Sequence, residues 1–146
     1  MSNFVERLNS LLKERNLSIR QLSREVGISS SQLSKYSTGY YEPSLSNALK
    51  LADYFSCSLD YLFGLEPFRQ NAYFYREPDK KVFVERFKEL VERRKTNFNR
   101  ISKHTYLNRN TIYNWETTAN FPKVGILVKL AQELNVSIEF LIGRID

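Results

Sequence analysis

The six residues Arg109-Asn110-Thr111-Ile112-Tyr113-Asn114 set an arginine, two asparagines and a tyrosine around one apolar position. On a helix Ile112 would turn inward, leaving Arg109, Asn110, Tyr113 and Asn114 on the outward side. That side suits the edges of base pairs. Arginine can bond guanine O6 and N7 together, asparagine can bond adenine N6 and N7 together, and each such pair discriminates by ~1–3 kcal/mol. An equivalent stretch earlier in the chain places Ser30, Ser31, Ser34 and Lys35 outward, with Leu33 and Tyr36 inward. Serine is short and reads little, whereas Lys35 can reach guanine or phosphate. Arg20, Arg24, Asn99, Arg100, Lys103 and Lys123 are the expected phosphate contacts, which position a protein on a duplex without specifying sequence. Each of the cations among them reads equally well, taken singly, as ordinary solvated charge.

Other chemistry is not in evidence. One histidine, His104, and one cysteine, Cys57, stand far apart, and there is no Gly-rich phosphate loop and no HExxH pair. No nucleophile–base constellation can be assembled, so neither an enzyme, nor a cofactor, nor a metal site is expected. A lone thiol also excludes an internal disulfide framework. No apolar run approaches the ~18 residues of a membrane span, and the N-terminus lacks the order of a signal peptide, so a cytoplasmic location and no membrane partner are expected. Net charge is +6, with seven Lys and Arg against six Asp and Glu in residues 1–65 and eleven against seven in residues 83–146. A basic excess suits a polyanion, and its concentration predicts that the second half binds more tightly.

The elements that must position these side chains are written twice. Phe4 to Gly64 and Phe83 to Gly143 align at a constant offset of 79 positions without a gap, pairing Phe4 with Phe83, Arg7 with Arg86, Pro43 with Pro122 and Ser58 with Ser137. A period this long marks small domains rather than stacking units of a solenoid. In the first copy, Phe4, Leu8, Leu11 and Leu12 predict a helix over 4–15. Ser18 with Gln21, and Ser29 with Gln32, each have the spacing of a capping box, flanked by the apolar staples Leu17/Leu22 and Ile28/Leu33. Gly27 between them permits the left-handed backbone that stops one helix and re-aims the chain, giving a helix-turn-helix. A fourth helix follows Pro43 with Leu45, Leu49, Ala52 and Phe55 facing inward, and Ser58 caps a last turn ending at Gly64. In the second copy Asn97 and Asn108 replace the two cap serines, and Tyr106 stands where the first copy has Gly27.

This ordered set resembles the Cro and phage-repressor-like helix-turn-helix proteins, the XRE family. The matching strings are Val26-Gly27-Ile28-Ser29, Leu51-Ala52 and Ser58 to Gly64, then Asn108 to Glu116, Leu130-Ala131 and Asn135 to Gly143. The resemblance implies an all-α chain of two tandem five-helix, lambda-repressor-like domains, residues 1–65 and 83–146. It also implies a third helix in the DNA major groove and a role in transcriptional repression. The chain departs from the family in two places. Ile19 and Phe98 stand where many members carry a phosphate-binding glutamine, and Ser37 with Leu12 replaces an acidic–arginine pair. In the second copy Glu116 stands opposite Val91.

Residues 66–82 form an aromatic-rich connector with Phe68, Tyr73, Phe74 and Tyr75, bracketed by Pro67 and Pro78 and free of Gly and Ser. Two readings of the connector stand side by side: the aromatics pack between the copies and fix a covalent pseudo-dimer, or they cover one domain. Two different recognition helices predict an asymmetric double-stranded DNA operator, with association of two chains into a homodimer left open. The competing reading is a helix-turn-helix module turned to a protein partner, as an antitoxin or inhibitor of a host factor. A mixed protein, with one copy on DNA and the other on a protein, also fits the charge asymmetry.

Overall fold

The computed structural model describes residues 2–68, 75–93, 100–101, 103, 114–115, 117 and 120–146. The regular elements of the described residues are all helices, joined by turns and irregular chain, and these residues hold no strand. The chain divides into two compact units, Met1–Tyr73 and Phe74–Asp146.

The first unit holds α1 (Ser2–Glu14), α2 (Ile19–Val26), α3 (Ser30–Ser37), α4 (Leu45–Tyr54) and α5 (Leu59–Leu62). Phe4, Leu8, Leu11 and Leu12 line the buried side of α1, as their spacing predicts. Phe4 sits at the centre of the core, its ring stacked on Phe63 at 5.0 Å and edge-on to Tyr36 at 6.3 Å. Such offset and T-shaped pairs add about 0.5–1.5 kcal/mol beyond the area they bury. The Tyr36 hydroxyl accepts a bond from Asn47 Nδ2 at 2.8 Å, so the polar end of a buried ring is satisfied.

Two expectations need correction. The buried side of α4 is Ala48, Leu51, Ala52 and, just past the helix, Phe55, while Leu45 and Leu49 are only half-buried. The helix turns its alanines inward because it lies against both α2 and α5. Small side chains allow that approach, and two leucines would hold the backbones apart. The second capping box is also incomplete. Ser29 Oγ accepts from Gln32 N at 3.2 Å, but Gln32 Oε1 accepts from the Ser29 hydroxyl at 3.3 Å rather than from the Ser29 amide.

In the second unit the described elements are α6 (Lys80–Arg93), α7 (Val124–Leu134) and α8 (Ile138–Leu141). Phe83 and Phe87 of α6 meet Trp115 edge-on at 5.4 and 5.7 Å, so the single tryptophan is part of a core. Asp79 Oδ1 accepts from the amides of Lys81 and Val82 and starts α6. Asn97, Phe98, Tyr106 and Asn108 lie outside the described residues, and with them the turn of the second copy.

Candidate nucleic-acid interface

The turn between α2 and α3 is built from three local devices. Ser18 Oγ accepts from Gln21 N at 3.1 Å while Gln21 Oε1 accepts from Ser18 N at 2.8 Å, a complete capping box at the start of α2. Gly27 ends α2 with φ 72°, in the left-handed region, and its amide closes on Ser23 O. Ser23 Oγ then donates to Ile28 O at 2.6 Å, tying the last turn of α2 to the residue that leads into α3. Leu22 and Leu33 are fully buried, and α2 packs on α3. The consequence is a fixed re-entry angle for α3, set within a handful of residues.

With Leu33 and Tyr36 inward, Ser30, Ser31 and Ser34 are exposed on the outer side of α3. Lys35 is half-buried, with Nζ 5.0 Å from the centre of the Tyr41 ring. Arg20 and Arg24, one turn apart on α2, are both exposed. Ile19, which stands where many members carry a phosphate-binding glutamine, is half-buried and its side chain has no polar group to offer. The acidic–arginine pair is replaced by a different tie between α1 and the end of α3, since Asn9 Nδ2 donates to Ser37 O at 2.9 Å.

Sequence reasoning passed over Tyr40 and Tyr41. Both are exposed, at 72% and 52%, and their rings meet edge-on at 5.0 Å. Their amides both reach Lys35 O, at 2.8 and 3.4 Å, so the pair is carried on the C-terminal end of α3. Gly39, with φ 79°, makes that chain reversal possible. Two adjacent aromatics between a glycine and Pro43 are the signal that could have found them. They lie too close to a turn to belong to a core-facing helix.

For the second copy the candidates are only partly placed. Asn114, Arg100, Lys103 and Lys123 are exposed, and Lys123 precedes the first turn of α7. Arg109, Asn110, Tyr113, Asn99 and His104 lie outside the described residues. Among the described residues no group of His, Cys, Asp and Glu could hold a metal ion, and no helix is long and apolar enough to cross a membrane.

Residues 8–62 match the helix-turn-helix family model, from the middle of α1 to the end of α5. The chain is similar to the HTH-type transcriptional regulator AnsR of Bacillus subtilis (strain 168), 37% identical over 68 residues, covering 47% of this chain and 59% of that protein. It is also similar to YobD of the same organism, an uncharacterized HTH-type transcriptional regulator, 30% identical over 90 residues, covering 62% of this chain and 72% of the relative. No solved structure gave a significant match.

Proposed function

This chain belongs to the helix-turn-helix family of transcriptional regulators, and on that premise we propose that it is a sequence-specific regulator that binds double-stranded DNA. In this reading it represses by occupying an operator, as proteins of phage or mobile-element type do, and needs no catalysis. The observation that carries the proposal is the rigid α2–turn–α3 unit with an exposed polar ridge on α3. A helix held at a fixed angle by its neighbour, polar outside and apolar inside, is what entry into a major groove requires.

The two copies divide the work. Arg20, Arg24 and Lys35 of the first copy hold phosphates, with the Tyr41 ring against Lys35. Ser30, Ser31 and Ser34 follow the groove and read little. Arg109, Asn110, Tyr113 and Asn114 of the second copy carry most of the sequence information, with Asn99, Arg100, Lys103 and Lys123 on the backbone. The molecule is then a covalent pseudo-dimer on an asymmetric site.

Selection of bound fragments from random duplex DNA tests this directly. The expected product is one asymmetric sequence, better defined in the part read by the second copy. Affinity should fall with salt at a log–log slope near −0.9 per phosphate neutralised. A flat salt dependence with no enriched sequence would refute it. That result would favour the second reading, a protein partner, for which the exposed Tyr40 and Tyr41, carried on the end of the helix that bears three exposed serines, are the supporting observation. Tyrosine with serine supplies large rigid contact area and adaptable hydrogen bonding at protein interfaces.

A further inference from the structure

The loop that leaves α3 is pinned at both ends. At its start Tyr40 N donates to Lys35 O at 2.8 Å and Gly39 N to Tyr36 O at 3.2 Å, with Gly39 left-handed. These are the paired bonds of a Schellman cap. The Thr38 hydroxyl adds a bond to Ser34 O at 3.0 Å. At the far end Pro43 is buried, and Ser44 Oγ accepts from Asn47 N at 3.1 Å to start α4. Tyr41 therefore faces solvent on a fixed backbone, and the Tyr40 ring braces it edge-on. Lys35 Nζ stands 5.0 Å from the centre of the Tyr41 ring, inside the ~6 Å at which a ring face attracts a cation.

The ring occupies one side of the ammonium, and an ammonium has donors to spare for an acceptor on the other. At the offset positions of the second copy stand Asn114 and Asn120, so the cation and the ring are replaced together. We propose that Tyr41 is a positioning residue, which holds the Lys35 ammonium on its ring face before DNA arrives and so presents it to a backbone phosphate. The proposal rests on the reading that the first copy binds DNA. Lysine is among the most flexible side chains. Immobilising such a side chain on binding costs roughly two- to tenfold in affinity. A contact already made in the free protein, and kept in the complex, saves part of that, roughly two- to fivefold. A phosphate contact carries no sequence information, so the saving applies to every duplex alike.

The test is a double-mutant cycle in the full chain, combining Lys35→Ala with Tyr41→Leu, and Tyr41→Phe as the conservative variant. Affinity is measured over a range of salt on the duplex selected from random DNA and on a scrambled one. Tyr41→Leu should weaken both duplexes roughly two- to fivefold, leave the salt slope unchanged, and do nothing further once Lys35 is alanine. Tyr41→Phe should bind as the wild type does. In the free protein the Lys35 ε-methylene protons should resonate upfield of those of exposed lysines, losing that shift in Tyr41→Leu and keeping it in Tyr41→Phe. An absent shift overturns the contact. A loss from Tyr41→Leu that persists in the Lys35→Ala background shows Tyr41 acting on DNA by itself and overturns the positioning role. A loss confined to the selected duplex overturns the phosphate assignment, and no loss at all overturns the proposal. If the wild-type chain binds neither duplex, the parent reading has failed and takes the role on DNA with it, while the methylene shift still decides the contact. Should Tyr41→Leu not fold, Tyr41→Gln also removes the ring and is read in the same cycle.

Discussion

Gly27 and Gly64 have nearly the same backbone, φ 72° and 77°, yet replacing each by alanine should have different consequences. A Cβ on Gly27 meets nothing within 4 Å, so Gly27→Ala costs only the left-handed conformation. That penalty is about 1–2 kcal/mol for a residue with a side chain. Restricting the unfolded chain returns about 0.4–1 kcal/mol, so the net loss should be near 1 kcal/mol. A Cβ on Gly64 would lie 2.6 Å from Asn3 Cβ and 3.0 Å from its Cγ. The first of these atoms is fixed to the backbone of α1, so the helix must move rather than a side chain swing aside. Overpacking of this kind adds about 1–3 kcal/mol, for a total near 2–4 kcal/mol in Gly64→Ala.

Urea denaturation of the full chain separates the contributions. Trp115 lies in the second unit, so its fluorescence follows that unit, and far-ultraviolet circular dichroism follows both. Gly27→Ala and Gly64→Ala should shift the dichroism component that lacks a fluorescence counterpart. Adding Asn3→Gly should recover most of the steric part in Gly64→Ala and nothing in Gly27→Ala. Equal losses for the two single variants, or equal rescue by Asn3→Gly, would refute the reasoning.

Ser18→Ala removes one side of a complete capping box and should cost about 1 kcal/mol, within the 0.5–2 kcal/mol range of cap removals, by the same denaturation assay. On DNA, Arg109→Ala should weaken binding by ~1–3 kcal/mol and relax one base position in the selected sequence. Lys35→Ala should instead weaken all sequences alike and reduce the salt slope by about one contact. The hydrogen bond from Arg76, and then its charge, hold the Asp146 carboxyl below its ordinary 3.8. A carboxylate with a depressed folded value contributes stability that is present above the ordinary value and lost as pH falls through the depressed one. Carbon-detected titration should therefore find the Asp146 midpoint below 3.8, and Arg76→Gln should raise it towards that value, with Arg86 still lowering it.

The parts of the fold legible in the sequence were those whose partners lie within one turn of chain. Ser18, Ser29 and Ser58 each accept from the amide three residues on, and spacing alone reveals such a bond. Gly27 was readable for the same reason. What stayed hidden depends on distant partners. Whether α4 buries Leu49 or Ala48 is decided by how closely α2 and α5 approach, and no pattern within α4 records that. Arg144 looks like one more basic residue until Glu139 and the carbonyl of Arg76, 68 positions away, are brought to it. The candidate site is divided in the same way. The outward position of Ser30, Ser31 and Ser34 followed from helical periodicity, whereas the seating of Lys35 on Tyr41 arises from a chain reversal at Gly39 that periodicity does not cover.

The internal wiring of the two units agrees at offset positions even where the outer residues differ. Arg7 lies over Tyr61 and reaches Glu66 O, and Arg86 lies over Phe140 and reaches Ile145 O. Ser56 and Asn135 both take φ 53°, and Asp60 and Glu139 are both buried acids. A buried position answers to packing and to the cost of an unpaired polar group, so few residue types satisfy it. An outward position on a short helix answers only to solvent or to whatever binds there. Serines in one copy against arginine and asparagine in the other therefore carry no information about folding. Were these positions simply solvated in both copies, a sharply defined base preference confined to one half of a selected site would have no physical origin. Finding that preference, and losing it with Arg109→Ala while Ser31→Ala leaves it intact, would assign the sequence reading to the second copy.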